Sequence, residues 1–196
     1  MTTKVFIAGS IAIKHLDAKV KERIDNIVGQ NFQVFVGDAD GADTSIQTYL
    51  SLHGAINATV YFVGKRPRNN VGHWPSHQVE TTHSEGSRAY FTAKDLKMAE
   101  QADIGLMIWD TKSTGTLSNV IELLARRKKA VVWINKAKVF VNVATAEQLE
   151  DLIDAYMSPA ARDKAEQKIR LSSRIRGLSE PAQEPASQLD LLAPNR

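Results

Sequence analysis

The sequence predicts an α/β fold with a doubly wound, mostly parallel sheet. Two observations predict this fold. Short, continuously apolar segments alternate with amphipathic helical patterns along the chain. Most of the turns between them are short and rich in glycine and aspartate. Apolar strands joined through helices favour parallel pairing and right-handed crossovers.

The composition is that of a globular protein. The chain has 196 residues, enough for one domain with a buried core, and 43% of them are hydrophobic. A formal net charge of +3 is too small by itself to indicate nucleic acid binding. Cysteine is absent, which excludes disulfides and thiolate metal sites. Without a signal peptide or an apolar segment of membrane-spanning length, we expect a cytoplasmic protein with no membrane association.

The first strand and helix are predicted at residues 5–8 and 17–28. Residues 5–8 are continuously apolar and end at Gly9-Ser10, as is typical of a buried strand. Apolar residues of the second segment recur on one helical face, and Gly29 follows the last of them.

The next elements surround a turn of glycine and aspartate. A strand at residues 33–37 leads through the turn 37–43 into a helix at 44–53, and a further strand follows at 59–63. The periodic pattern of apolar residues is then absent over residues 65–90. Connections of this length inside a compact domain are uncommon and often functional.

The alternation resumes at Thr92. Asp95 follows it at the spacing of a capping box, which predicts a helix from Thr92 to Ala102. The later strands are predicted at residues 104–109, 130–134 and 139–143, and the later helices at 116–127 and 145–156.

The composition changes after residue 157. Residues 1–157 are therefore predicted to form one domain, followed by a basic helix at 158–176. The apolar face of this helix is thin, so it either docks weakly, pairs with another subunit or extends into solvent. Residues 177–196 contain three prolines among polar residues and are expected to be disordered.

Three turns are expected to meet at the carboxyl edge of the sheet, at residues 9–10, 37–43 and 110–119. Ligands of open α/β sheets bind at this edge, and helix N-termini favour anions. Gly115 permits close backbone approach to a phosphate and Thr116 adds a hydroxyl. The expected ligand-binding residues are Gly9, Ser10, Gly37, Asp40, Gly41, Asp43, Arg68, Asn69, Asn70, Trp74, Asp110, Ser113, Gly115, Thr116 and Asn119.

The aspartates of these turns would repel a phosphate. Contacts to ribose hydroxyls, to a base edge or to a metal suit them better, as does helix capping. For Asp43 the N-cap alternative is favoured. For Asp38 and Asp40 a ligand contact and a plain turn role are equally supported.

The loop after the third strand offers further ligand contacts. Arg66 and Arg68 suit a phosphate, Asn69 and Asn70 a base edge, and Trp74 a stacked base. The alternative is a surface loop anchored by its tryptophan.

A metal site is not expected in this loop. His73 and His77 are four residues apart, but Pro75 prevents them from sharing one helical face. No cofactor is predicted.

Three patterns together resemble the SLOG superfamily over residues 4–156. They are the strand ending in Gly9-Ser10, the turn Gly37-Asp38-x-Asp40-Gly41-Ala42-Asp43, and residues 113–119 (Ser-Thr-Gly-Thr-Leu-Ser-Asn). The superfamily includes the domain of DNA-processing protein A, the Lonely guy phosphoribohydrolases and, more distantly, nucleoside 2-deoxyribosyltransferases. The resemblance implies a Rossmann-like, three-layer α/β/α fold that binds a nucleotide or nucleotide-derived ligand, and a homodimer.

The chain departs from the phosphoribohydrolase pattern Pro-Gly-Gly-x-Gly-Thr-x-x-Glu. The double glycine is replaced by Ser113-Thr114, and Asn119 stands in the position of the glutamate that helps to cleave an N-glycosidic bond. This departure favours a non-catalytic nucleotide sensor.

Glu122 lies one turn after Asn119 and is the catalytic candidate, because deoxyribosyltransferases use a glutamate nucleophile in a comparable helix. Asp38 is the candidate for a second carboxyl group, with Asp40 and Asp110 as alternatives. For Glu122 a solvated helix side chain is an equal alternative. The sequence therefore leaves two functions open, N-glycosidic hydrolysis or transfer and ligand binding without catalysis.

A third candidate function is association with single-stranded DNA. It is suggested by the basic residues between 162 and 176 and by Gln188-Leu189-Asp190-Leu191-Leu192. This pentapeptide resembles the peptides that bind the bacterial sliding clamp. The alternative is a disordered tail with a few leucines.

Overall fold

The computed structural model describes residues 2–179 and confirms the mostly parallel α/β fold. The strands are β1 (Lys4–Gly9), β2 (Gln33–Gly37), β3 (Ala58–Phe62), β4 (Ser76–Gln78), β5 (Ile104–Trp109), β6 (Lys129–Ile134) and β7 (Val139–Val143). The helices are α1 (Ala18–Gly29), α2 (Ala42–Leu52), α3 (Arg88–Gln101), α4 (Thr114–Ala125), α5 (Ala146–Tyr156), α6 (Pro159–Ile169) and α7 (Leu171–Ser179).

The strands form one sheet in the order β4-β3-β2-β1-β5-β6-β7. Neighbouring strands are parallel from β4 to β6, and β7 pairs antiparallel with β6 at one edge. The direction of winding reverses between β1 and β5. Ligands of open α/β sheets bind at such a switch point, beyond the carboxyl ends of the strands.

Helices cover both faces of the sheet, as the three-layer prediction requires. Successive residues of a strand point to opposite faces. Phe6 of β1 packs in a buried cluster with the apolar residues of α3 to α7, whereas Ile7 packs with those of α1 and α2. The fold is therefore Rossmann-like.

The predicted starts of α1 and α5 are confirmed, and that of α3 is wrong. The side chains of Asp17 and Thr145 cap α1 and α5. Helix α3 begins earlier than predicted, because Ser87 is its N-cap and accepts a hydrogen bond from Tyr90 N. Thr92 lies inside the helix, where its hydroxyl donates to the carbonyl of Arg88. Serine and threonine side chains can hydrogen-bond to the nearby backbone both at a helix N-cap and inside a helix. The capping-box spacing alone therefore did not identify the start of α3.

The basic segment after residue 157 forms two helices instead of the single helix expected. Arg170 adopts a left-handed conformation with φ of 52° and separates α6 from α7. Ala165, Ile169 and Leu171 are buried in the cluster that includes α4 and α5. The C-terminal helices α6 and α7 thus pack on the body of the fold.

Helix α7 runs to Ser179, into the range expected to be disordered. The clamp-like pentapeptide at 188–192 lies outside the described residues. Within residues 2–179, no helix has both the length and the apolar character needed to cross a membrane.

Candidate functional site

A cavity of about 440 Å³ opens at the carboxyl end of β1. Its walls come from the turn after β2, the 65–75 loop, α2, α3, the first turn of α4, and α6. We call this cavity the crevice. Its volume lies in the range of small-molecule sites. A second cavity of about 340 Å³ lies beside α1 and α2, and none of the predicted site residues lines it.

The start of α4 forms one wall of the crevice, as predicted. Ser113 is the N-cap, and its hydroxyl accepts hydrogen bonds from the backbone N and the Oγ1 of Thr116, at 3.3 and 3.1 Å. Gly115 faces open space, because a Cβ atom built on it would meet no atom closer than 3.9 Å, the Oγ of Ser113. Asn119 lines the crevice one turn further on. The positive end of the helix dipole therefore points at an open volume.

Ser10 and Asp110 connect the ends of β1 and β5 behind this wall. The Ser10 hydroxyl donates to Asp110 Oδ2 at 2.8 Å. The other carboxylate oxygen accepts from the backbone N of Lys112 and of Ser113, at 3.0 and 2.7 Å. Neither residue lines the crevice. They position the start of α4.

Asp38 is engaged by Arg68. The carboxylate is 1% exposed and accepts from Arg68 Nη2 at 2.7 Å, and from its Nε and backbone N at 3.0 Å each. Burial raises the pKa of Asp38, but the hydrogen bonds of Arg68 and the charge of Lys94 outweigh burial and lower the pKa below its ordinary value. Arg68 lines the crevice, whereas Asp38 does not.

Gln47 holds the 65–75 loop against the sheet and was not predicted as a site residue. Its fully buried side chain donates to the carbonyl of Gly37 at 2.8 Å and accepts from the backbone N of Val71 at 2.9 Å. In the sequence, Gln47 could have been identified as an amide side chain among the apolar residues of the buried face of α2.

The remaining predicted residues of this loop make contacts within the protein. Asn69 Nδ2 donates to Asp40 Oδ1 at 3.1 Å, and the Asn70 side chain closes a turn through both the N–H and the C=O of Trp74. Trp74 is buried, and its indole N–H donates to the carbonyl of Ala55 at 2.7 Å. None of these residues lines the crevice.

Lys94 of α3 is buried at the crevice beside three carboxylates. Its Nζ lies 2.9 Å from Asp95, 3.7 Å from Asp43 and 4.0 Å from Asp38. Burial lowers the pKa of Lys94, but these carboxylates together raise it to about 12. The ammonium group is therefore charged. Sequence reasoning missed it, although Lys94 lies four residues before the buried Met98 on the same helical face.

Asp43 is the most perturbed carboxyl group of the crevice. Burial raises its pKa to about 6, although the charge of Lys94 acts in the opposite direction. Gly37 provides the space for this pair, because a Cβ atom there would lie 2.3 Å from Asp43 Oδ2 and 2.4 Å from Lys94 Nζ.

The favoured N-cap interpretation of Asp43 is wrong. Gly41 is the N-cap of α2, with φ of 76° and its Cα so close to Ile11 that a Cβ atom would lie 2.2 Å from the Ile11 carbonyl oxygen. Only glycine fits this position. The Asp43 carboxylate instead accepts from the backbone N of Ala39 at 3.3 Å. Gly9 similarly permits close packing, since a Cβ atom built on it would lie 2.7 Å from the carbonyl oxygen of Ile108 in β5 and 2.8 Å from the Cβ of Ala42 in α2.

Glu122 lies outside the crevice and ties α7 to α4. Its Oε1 accepts from Arg174 Nη2 at 2.7 Å, and its Oε2 accepts from Arg126. Arg174 also donates to Ser118 Oγ at 2.7 Å. Both carboxylate oxygens of Glu122 are thus engaged by arginines.

The mouth of the crevice carries residues that sequence reasoning did not select. Arg88 Nη2 lies 3.4 Å from Thr114 Oγ1, and its Nη1 donates to the carbonyl of Lys168 at 3.1 Å. The Phe91 side chain is partly exposed, and the guanidinium carbon of Arg68 lies 5.1 Å from the centre of its ring. Arg88 lies in the segment expected to be loop, Phe91 lies directly before the helix predicted from Thr92, and Lys168 lies beyond the predicted domain boundary.

Among residues 2–179, no group of three or more histidine, aspartate or glutamate side chains is arranged to hold a metal ion. Comparison with protein-family models and with curated proteins finds no match for this chain. The resemblance to the SLOG superfamily therefore stays a prediction.

Proposed function

We propose that the protein binds a nucleotide or nucleotide-derived ligand in the crevice, with a phosphate group at the N-terminal turn of α4. One observation carries the proposal. The first turn of α4 opens into the same cavity as the cationic side chains of Arg68, Arg88 and Lys168 and the ring of Phe91.

The phosphate position follows from the backbone. The first amides of a helix have no partner within the helix, and their dipoles attract negative charge. At α4 the Ser113 cap engages the N–H of Thr116, while Gly115 leaves the approach to the first turn open. A phosphate fits such a helix start.

The rest of the crevice suits a nucleoside. Phe91 offers an aromatic face for a base, and base–aromatic stacking tolerates any base. Asp43 and Asp95 line the crevice and provide acceptors for ribose hydroxyls. Asn119 adds an amide that is suited to hydrogen bonding.

Binding without catalysis is the function that the geometry favours. N-glycosidic cleavage needs a carboxylate next to the reacting carbon. Neither Glu122 nor Asp38 lines the crevice, and arginines engage both oxygens of each.

Asp43 supports a second candidate function, N-glycosidic hydrolysis or transfer. This residue lines the crevice, and burial raises its pKa to about 6, which suits proton transfer near neutral pH. Release of free base by wild-type protein, and its loss in Asp43→Asn, would establish this second function.

The proposed function is tested by replacing Gly115 with aspartate. Because a side chain at this position meets open space and an acidic residue suits the first turn of a helix, the fold is expected to tolerate the change. The new carboxylate would occupy the phosphate position. We expect Gly115→Asp to weaken nucleotide binding at least about tenfold, as measured by calorimetry over a panel of nucleosides and nucleotides.

The matched control is Gly115→Asn, which has nearly the same shape without the charge and should retain most of the affinity. Thermal melting checks that both variants fold. The proposal fails if wild-type protein binds no nucleotide of the panel, or if the aspartate variant binds as tightly as the asparagine variant.

A further inference from the structure

We propose that the crevice accepts a diphosphate, and that Lys168 of α6 and Arg88 of α3 form the position for its second phosphate. This inference rests on the proposed function, which places the first phosphate at the start of α4. It assigns to the C-terminal helices a direct part in ligand binding.

The geometry places the second position next to the first. The Arg88 guanidinium lies between the first turn of α4 and the last turn of α6, through its contacts with Thr114 Oγ1 at 3.4 Å and the Lys168 carbonyl at 3.1 Å. Arg88 and Lys168 both line the crevice, as does the first turn of α4. The two phosphates of a diphosphate are also adjacent, so one can lie at the start of α4 while the other contacts Arg88 and Lys168.

The charges at the mouth of the crevice are not balanced. Arg68 is paired with Asp38, and Lys94 with Asp95 and Asp43. Among the described residues, neither Arg88 nor Lys168 forms a salt bridge. An anionic ligand with more than one charge would supply the missing negative charge.

A third cation reinforces this imbalance. Burial lowers the pKa of Arg174, and the positive charge of Arg88 acts in the same direction, against the charge of Glu122. Glu122 is itself shared with Arg126. Two arginines thus share the one carboxylate of Glu122, which leaves no negative charge of this group for Arg88.

Helix stability does not account for Arg88. It is the first residue of α3, where the positive end of the helix dipole disfavours a cation. Lys168 lies in the last turn of α6, where the dipole favours it. Packing of α6 requires only the Lys168 carbonyl, which any residue provides. The role of the Lys168 side chain can therefore be tested separately from the packing of α6.

The test uses inorganic phosphate and inorganic diphosphate as probes that do not depend on the base. Calorimetry is performed on the full chain as wild type, Lys168→Ala and Lys164→Ala. Lys164 is an exposed lysine one turn earlier on α6 that does not line the crevice, so it is the matched control. Alanine at position 168 keeps the carbonyl that Arg88 binds.

We expect wild-type protein to bind diphosphate about tenfold more tightly than phosphate, because a second charge-assisted contact is added. Lys168→Ala should lose most of this preference while its affinity for phosphate stays within about twofold of wild type. Lys164→Ala should match wild type for both probes.

Equal wild-type affinity for the two probes would overturn the inference, as would no binding of diphosphate. So would an equal loss of both affinities in Lys168→Ala, or equal losses in the two lysine variants. The proposed function is judged separately, by the nucleotide panel and Gly115→Asp. A protein that binds nucleotides there but shows no preference for diphosphate would retain the function and lose only the inference.

Discussion

At the scale of single residues, Lys94 organises the charges inside the crevice. Its ammonium group lies within 4.0 Å of Asp38, Asp43 and Asp95, and it is 3% exposed. Buried charges of one sign are costly unless an opposite charge accompanies them. Because burial outweighs the charge of this lysine, Asp43 has a raised pKa and becomes the group that responds to pH.

The first residue-scale prediction concerns that pH response. Asp43 has a pKa of about 6 in the folded protein, above its ordinary value of 3.8, so the folded state binds its proton more tightly. Stability from this group is therefore gained as the pH falls through 6. We expect the free energy of unfolding of wild type, relative to that of Asp43→Asn, to rise by about 1 kcal/mol between pH 7 and pH 5.

Urea unfolding of both proteins at several pH values provides the measurement. The interval ends at pH 5 because the lowered pKa of Asp38 keeps that carboxylate charged throughout it. A constant difference between the two proteins would show that Asp43 does not titrate in this interval.

At the scale of elements, α4 joins the crevice to the C-terminal helices. Its first turn faces the crevice, and its third turn carries Glu122, whose carboxylate binds Arg174 of α7. The Glu122 side chain is 22% exposed, so this ion pair is only partly screened by solvent. This ion pair links α7 to α4.

We therefore expect Glu122→Gln to lower the free energy of unfolding by about 1–3 kcal/mol, because it leaves Arg174 without its charged partner. Nucleotide affinity should change by less than about twofold, since Glu122 does not line the crevice. Unfolding by urea and calorimetric titration measure the two effects. Loss of base release from a nucleotide with unchanged stability would instead restore Glu122 as the catalytic residue.

The start of α3 shows where local patterns misled the prediction. Ser87 and Thr92 are both of residue types that favour helix N-caps, and Thr92 also has an acidic residue three positions later. The helix begins at Arg88, and Arg88 reaches α4 and α6 from there. These tertiary contacts add to the Ser87 cap, and they are not visible in the local pattern.

At the scale of the whole molecule, the described fold runs through α7. The apolar residues of α6 and α7 complete the cluster on one side of the sheet, with Ala165, Ile169, Leu171 and Ile175 all buried. Two arginines of this basic segment pair within the chain, Arg162 with Asp154 and Arg174 with Glu122. Those two charges are less available to single-stranded DNA than the sequence alone indicated.

Truncation tests this organisation. A chain ending at residue 157 would expose the apolar surface that α6 and α7 cover. We expect it to lose on the order of 5 kcal/mol of stability or to fail to fold. A chain ending at residue 179 keeps all the contacts described and serves as the control in thermal melting and urea unfolding. Equal stability of the two truncated chains would show that α6 and α7 dock only weakly.

The sequence by itself determined six of the seven strands of the described sheet and most of the helices, because the periodicity of apolar residues is a local property that burial on one or both faces imposes. It missed β4, which lies in the segment 65–90 that was expected to be loop. It also determined that the Gly115-Thr116 turn lies at a helix start beside the ends of β1 and β5. Only the tertiary structure decided which side chains meet there. Arg68 engages Asp38, Lys94 enters from α3, and Lys168 arrives from a helix that follows the predicted domain. Such contacts join residues far apart in the chain, and pairing of buried charges depends on distances that no local pattern encodes.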